Sequence, residues 1–382
     1  MEAIFDSNKY GVDIHMCSVP VPLIDDHKNN SGIVFTEEQI SKYGQSQTHP
    51  SIEYRENGFG GHQWWMATTP YPKAAGVFEN PCIYYADTNE DGTPPTVFTP
   101  INGISNGDYT ITQNPVVKVE SNNDTNSDPD LFIDDELGNM YLISRDNRFN
   151  MATLIQESKD GQSWTKRAYR DIDKVVVSND LVQFAHCPDL ASPSLFKYNG
   201  VYKYIGMAGS AGIYNKNDKT NKGRFCGLYI AESSELKSSN DCFSYVGKSG
   251  VFGRQIEMWH SDCFVDSQSG YIYIICCSHT YNDWGNSYRR GMWLGVSKDN
   301  GDSFQMYPRP LMRGIFYRPT ATIDNNRNLV IYGSFEANAP TDASLYPNGE
   351  SDIPIDGRAI FMSYKKFDEV LAMLEKDIVT LG

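Results

Sequence analysis

One arrangement of polar and apolar positions recurs five times along the chain. A polar residue is followed by Pro or a small residue, then an apolar strand, a turn, and an aromatic strand. The units open at His49-Pro50-Ser51-Ile52, Asp128-Pro129-Asp130-Leu131-Phe132, Ser192-Pro193-Ser194-Leu195-Phe196, His260-Ser261-Asp262-Cys263-Phe264 and Arg318-Pro319-Thr320-Ala321-Thr322. Each leads to a second run, such as Asn139-Met140-Tyr141-Leu142-Ile143 or Tyr271-Ile272-Tyr273-Ile274. Between the two runs lie turn segments such as Asp134–Asn139, Tyr198-Asn199-Gly200 and Asp324–Asn328, whose Asn, Asp and Gly tolerate the positive φ of tight hairpins. The starts are 79, 64, 68 and 58 residues apart, spacings that hold several short strands each. Five such units predict an all-β fold, a five-bladed β-propeller over residues 46–382 with a short N-terminal extension, 1–45.

Two later segments resemble each other, Ser158–Trp164 and Ser297–Phe304. The second fits the Asp-box pattern and the first is one residue shorter. They predict hairpin caps with no chemistry of their own. Helical signals are few. Thr36-Glu37-Glu38-Gln39 has the form of a capping box. Phe367, Val370, Leu371, Leu374 and Ile378 repeat at helical spacing and predict a C-terminal helix over 365–378 that packs on the propeller.

The residue opening each blade's first strand sits at one mouth of the central channel. His49, Asp128, Ser192, His260 and Arg318 therefore converge, with Ser51, Asp130, Ser194, Asp262 and Thr320 behind them on the same strand face. Two readings fit: a polar pocket for a hydroxyl-rich ligand, or a solvated channel whose polar groups pair with one another. Trp64 and Trp65 are neighbours on a strand, so one packs and the other, Trp65, is a candidate for stacking a sugar at the rim. Trp259, beside His260, is a second candidate. Asp87–Gly92 imitates the start of a calcium loop, but Phe98 stands where the bidentate Glu belongs. It reads as a hairpin turn.

The five-unit count and the phrases Ser127–Asp134 and Leu195–Tyr204 resemble the five-bladed glycoside hydrolases of family 43, the arabinanase and β-xylosidase group. The stretch Gly61–Pro72, with Glu79–Ile83, looks similar to tail-associated proteins of bacteriophages that share this propeller. The resemblance spans residues 45–365. It implies inverting hydrolysis by a carboxylate base and a carboxylic acid with room for water between them, and a third acid that tunes the donor. His49 stands at the family's base, Ala191 at its acid, and only Asp128 keeps its carboxylate. Glu79, Asp130, Glu257, Asp262 and Glu336 are the substitute acids near the channel. Asp128, Glu79 and Asp262 are the candidate catalytic residues. His49, Asp130, Ser192, His260, Arg318, Trp65, Trp259 and Glu336 are the candidate sugar contacts.

Composition narrows the partners. The 382 residues carry 33 Lys+Arg against 48 Asp+Glu, a net charge of −15. That disfavours nucleic acid and anionic membrane as partners. The first thirty residues lack a secretory pattern. Eight cysteines without a C-x-x-C pair read as buried thiols of a chain made in a reducing cytosol. No cofactor is expected; the only ion considered is a structural calcium in the channel. Three functions are expected candidates: a virion tail-region propeller that engages host surface polysaccharide, an inverting hydrolase of that polysaccharide, or a structural virion component.

Overall fold

A computed structural model of the chain describes residues 14–20, 47–71, 79–103, 114–116, 126–146, 152–165, 168–170, 190–208, 228–234, 236, 244–252, 258–278, 291–313, 316–335 and 359–379. The predicted capping box at 36–39 lies outside them, as does Glu336.

Five antiparallel blades are arranged around an axis. Strand β1 (His15–Met16) comes first in the chain and last in space. Blade one is β2 (Gln47–Phe59), β3 (His62–Pro70), β4 (Cys82–Ala86) and β5 (Thr99–Pro100). Blade two is β6 (Asn126–Asp134), β7 (Asn139–Asp146), β8 (Ala152–Ser158) and β9 (Ala168–Arg170). Blade three is β10 (Leu190–Tyr198), β11 (Val201–Ala208), β12 (Leu228–Ser233) and β13 (Ser244–Phe252). Blade four is β14 (Met258–Val265), β15 (Ile272–Ser278), β16 (Gly291–Ser297) and β17 (Ser303–Met306), with β18 (Met312–Arg313) also against β16. Blade five is β19 (Phe316–Ile323), β20 (Asn328–Phe335) and β21 (Ile360–Lys366), completed by β1.

The segment grouped by sequence with the N-terminal extension thus finishes the last blade. His15 pairs with Met362 and Met16 with Phe361. Cys17 and Val19 are buried in the core shared by blades one and five. Ser18 donates to Thr96 O (2.7 Å) and accepts from Phe98 N–H (3.0 Å), which ties the same segment to blade one. The ring is closed by a strand far from its neighbours in sequence.

A belt of hydrogen bonds closes the ring a second time, at the channel. Ser51 Oγ donates to Asp130 (2.9 Å) and accepts from Leu131 N–H (2.9 Å). Asp130 accepts from Leu195 N–H (2.6 Å). Ser194 Oγ donates to Asp262 (2.8 Å) and accepts from Cys263 N–H (2.9 Å). Thr320 Oγ1 donates to Asp262 (2.5 Å) and accepts from Ile52 N–H (3.1 Å). Five residues at equivalent positions therefore fasten each inner strand to the next and return to the start. Burying polar groups is costly unless they are hydrogen-bonded, and here each bond also fixes the spacing of two blades.

Both faces of every blade are covered, which corrects the reading of the tryptophan pair. Trp64 lies in the core between blades one and five, beside Tyr332 and Ile360. Trp65 lies between blades one and two, beside Leu131, Leu142 and Trp164, and its Nε1–H donates to Phe59 O. Both are fully buried. Alternation does send them to opposite faces, but in a propeller neither face is solvent. Trp65 is packing and stacks no sugar.

The two Asp-box turns act as caps. Ser158 Oγ donates to Asp160 and accepts from Gly161 N–H, while Gln162 and Ser163 N–H donate to Asp160. Ser297, Asp299, Gly301 and Ser303 repeat the scheme. The aromatics that follow, Trp164 and Phe304, are fully buried. Asp87–Gly92 closes on itself as a turn through Gly92 N–H to Asn89 O and Thr93 N–H to Asp91. Helix α1 (Phe367–Val379) buries Phe367, Val370 and Leu374 against Phe264 and Tyr273 of blade four and the core of blade five. The described cysteines, Cys17, Cys82, Cys263, Cys276 and Cys277, are buried free thiols.

Candidate functional site at the channel mouth

The inner strands share a local irregularity that builds the mouth. Each has a shift of register near its start, at 48–51, 127–130, 191–194, 258–260 and 316–318. An extra residue in one strand re-aims a side chain away from the ladder. Four of the five units carry Pro beside the shift, a residue that cannot donate to a ladder. At His49 and Asp128 the backbone is left-handed, with φ of 52° for both. A side chain with a Cβ in that region costs on the order of 1–3 kcal/mol. The residues that carry this strain are the two that meet at the centre of the site.

His49 Nε2 lies 3.2 Å from Asp128 Oδ1. His260 Nδ1 lies 4.0 Å from the same oxygen, and Arg318 Nη1 3.8 Å. The imidazoles of His49 and His260 are tilted with centroids 5.4 Å apart, and the Tyr317 ring packs on both, at 5.1 and 4.4 Å. His49 Nδ1 is 2.9 Å from Thr69 Oγ1 and 4.0 Å from a carboxylate oxygen of Glu79. Arg145 approaches the other oxygen of Asp128 at 3.3 Å, and its Nε and Nη2 both donate to Ser127 Oγ. His49, Asp128, His260 and Arg318 are each at most 3 % exposed, so the cluster sits at the bottom of the mouth.

Electrostatics separates the three axial aspartates. Burial pushes the Asp128 carboxyl up, but the charges of Arg145, His49, His260 and Arg318 outweigh it and hold the group well below the usual range. Asp130 is raised by burial and by the negative charge of Asp262. Asp262 is raised by burial. Asp128 is thus the ionised acid of the axis, while the two belt acids beneath it already hold neighbouring strands together.

Of the sequence candidates, the structure gathers His49, Asp128, His260, Arg318 and Glu79 into one cluster. Asp130 and Asp262 stand one layer deeper. The side chains of Ser192 and Trp259 lie outside the described residues. Arg145, Thr69 and Tyr317 were not anticipated. Arg145 faces Ser127 across the β6–β7 ladder, and a charged residue ending the apolar run Tyr141-Leu142-Ile143 was the available signal. Tyr317 lies in the register shift of β19 immediately before Arg318.

No family model matches the chain, and no curated protein matches it. Among solved structures it is similar to an N-acetylgalactosamine deacetylase from F. plautii, determined in complex with blood group B trisaccharide. The identity is 15 %, the TM-score is 0.63, and the match covers 96 % of this chain and 98 % of that one. That likeness is one of fold. Further matches include RS223 β-xylosidase (9 % identity, TM-score 0.49, covering 84 % and 92 %). Another is a family 43 β-xylosidase/α-arabinofuranosidase from a compost microbial metagenome in complex with xylotriose (12 %, 0.47, 84 % and 91 %).

The central cluster has the donor chemistry of a cation site. One donor atom from each of His49, Asp128 and His260 lies within 4.8 Å of the others. Metal–nitrogen and metal–oxygen bonds near 2.0–2.2 Å place neighbouring donors about 3–4 Å apart, which these residues span. His49 Nδ1 is engaged with Thr69, and Nε2 is the ring nitrogen that faces the carboxylate oxygen, 3.2 Å away. A proton or a metal ion shared between Nε2 and that oxygen fits this separation. Asp128 Oδ1 itself makes no hydrogen bond among the described residues. Thr69 and Arg145 supply outer support of the kind that orients metal ligands.

Proposed function

We propose that this propeller acts on glycans through a divalent cation held at the channel mouth by His49, Asp128 and His260. The observation that carries the reading is the convergence of these three buried donors from blades one, two and four, two of them at strained left-handed positions. A divalent ion bound there would supply Lewis acidity and lower the pKa of water. Glu79, whose carboxylate lies 4.0 Å from His49 Nδ1, would be the proton acceptor for such chemistry. Arg145 and Arg318 keep Asp128 ionised and oriented.

The reaction class that fits is hydrolysis of an acyl substituent on a sugar. Inverting cleavage of a glycosidic bond needs two carboxyl groups about 6.5–9.5 Å apart across an open cleft. Asp130 and Asp262 are tied into the belt, and Ala191 replaces the family's proton donor. Deacylation is also the class of reaction named for the F. plautii propeller, an N-acetylgalactosamine deacetylase. A second reading, glycan engagement without turnover, is favoured by the depth at which the cluster is buried. The virion tail setting belongs with that reading and rests on the resemblance in Gly61–Pro72.

The test is to strip the protein with a chelator, restore zinc, manganese or calcium singly, and assay N-acetylated hexosamines and polysaccharides. Metal-dependent acetate release, lost in His49→Ala, is the expected result. Release of reducing ends without a metal requirement would replace this reading with glycosidase action. Saturable glycan binding with neither product would leave the second reading.

A further inference from the structure

The belt separates the mouth cluster from a second chamber along the axis. On the side away from the mouth is a cavity of about 380 Å³ lined from all five blades, with Ser51 and Asp262 of the belt at its floor. None of the mouth residues lines it. Its size falls at the small end of the range of ligand pockets, about 300–1,000 Å³.

Continuing each inner strand by two residues past the belt gives Glu53, Phe132, Phe196, Phe264 and Thr322, and all five line this cavity. One step further, blades two, four and five place Asp134, Asp266 and Asp324. Each accepts from backbone N–H groups of its own hairpin, Asp134 from Glu136 and Leu137, Asp266 from Gln268 and Ser269, and Asp324 from Asn328. Blade one departs from that rule. It has Arg55, whose guanidinium bonds to Glu53 (2.7 Å), to Asp135 (2.7 Å) and to Ile133 O (2.6 Å). These groups cap no hairpin of blade one; they line the cavity. On the other side Lys197 pairs with Glu136 (2.6 Å) and Asp134 (3.2 Å).

We propose that this rear chamber is a second binding site, for a neutral mono- or disaccharide. Its two cations, Arg55 and Lys197, are each paired with two carboxylates, so an anionic ligand is repelled and a neutral one needs no counter-charge. A hydroxyl-rich one finds acceptors in Glu53 and Asp135 and a donor in the fifth N–H of Arg55, whose other four go to Asp135, Glu53, Tyr54 O and Ile133 O. Phe132, Phe196 and Phe264 line it from the interblade cores in which they pack. Because its lining shares no residue with the mouth cluster, occupancy of the rear chamber is tested separately from the mouth and from any chemistry there.

Ligand-observed NMR and calorimetry with xylose, galactose, N-acetylgalactosamine and lactose test this, with galacturonate and galactosamine as charged comparators. The protein used is chelator-treated Asp128→Asn, in which the mouth is disabled. Saturable binding of at least one neutral sugar is expected to survive in it. Adding Thr322→Trp, which fills the chamber, should abolish that binding. Adding Glu53→Gln, a near-isosteric change, should weaken it. A melting curve for each variant confirms that it is folded. Absence of binding in the Asp128→Asn protein, full binding in a folded Thr322→Trp variant, unchanged binding in Glu53→Gln, or preference for a charged comparator would each overturn the proposal.

Discussion

Replacing Asp128 by Asn separates what holds the mouth together from what the mouth holds. The side chain keeps its shape and loses its charge. Two guanidinium groups then lose their nearest anion, and the one on Arg318 is wholly buried. Arg318 keeps its 3.9 Å approach to Asp130. Removing one partner of a buried ion pair costs about 3–5 kcal/mol. Unfolding entropy of about 2 cal/mol/K per residue makes each kcal/mol worth about 1.2 °C in a chain of 382 residues. The expected loss is therefore about 4–6 °C in the melting midpoint. The carboxyl is held below its ordinary range, so its contribution is present above about pH 4 and disappears as the pH falls through its own lower value.

The metal response is a second, separable quantity. A ligand at one hundred times its Kd stabilises by about 2.7 kcal/mol, which here is about 3 °C. Differential scanning calorimetry at pH 7, with and without each divalent cation, reads both effects. Wild type should melt higher with at least one cation, and Asp128→Asn should melt lower and show no shift with any. If the variant keeps the cation shift, the donor set is wrong. If wild type shows no shift with zinc, manganese, cobalt, nickel or calcium, the cation site itself is refuted. If the variant melts like wild type, Asp128 is not the anion that satisfies the two arginines.

Three other outcomes follow from the fold. Burial lifts the Glu53 carboxyl to about 7 against the pull of Arg55, so its contribution is present below about pH 4.5 and is lost as the pH rises through 7. Wild type should lose up to about 3 kcal/mol relative to Glu53→Gln between pH 5 and 8 in urea titrations, and parallel curves would contradict the burial argument. Gly161 has φ of 71° and its missing Cβ faces the Trp65 ring, so Gly161→Ala should destabilise by about 1–3 kcal/mol in the same assay. Removing residues 1–19 deletes the strand paired with β21 and the buried Cys17 and Val19. Limited proteolysis should then cut blade five first, and unchanged protection would deny that β1 closes the ring.

The ring of five units was legible because its signals are local. Four of the five register shifts carry a Pro that gives up its ladder bond, and the hairpins carry Asn, Asp or Gly, so both leave marks within a few residues. Two-residue alternation then placed His49, Asp128, His260 and Arg318 on one axis. Depth along that axis is not encoded in residue type. Asp128 and Asp130 are both aspartates on the channel face of one strand, yet one layer separates an ionised acid among two imidazoles from an acid that fastens Leu195 to its neighbour. Contacts across the sheet were equally silent: Arg145 reaches Asp128 from the second strand, and Thr69 reaches His49 across twenty residues. The tryptophan pair shows the same limit. Alternation put Trp64 and Trp65 on opposite faces, but which faces meet solvent depends on what the other blades cover. Function follows the same division: the sequence could bring ligating side chains to a common axis, while the proposal of a cation among them depends on separations that only the closed ring sets.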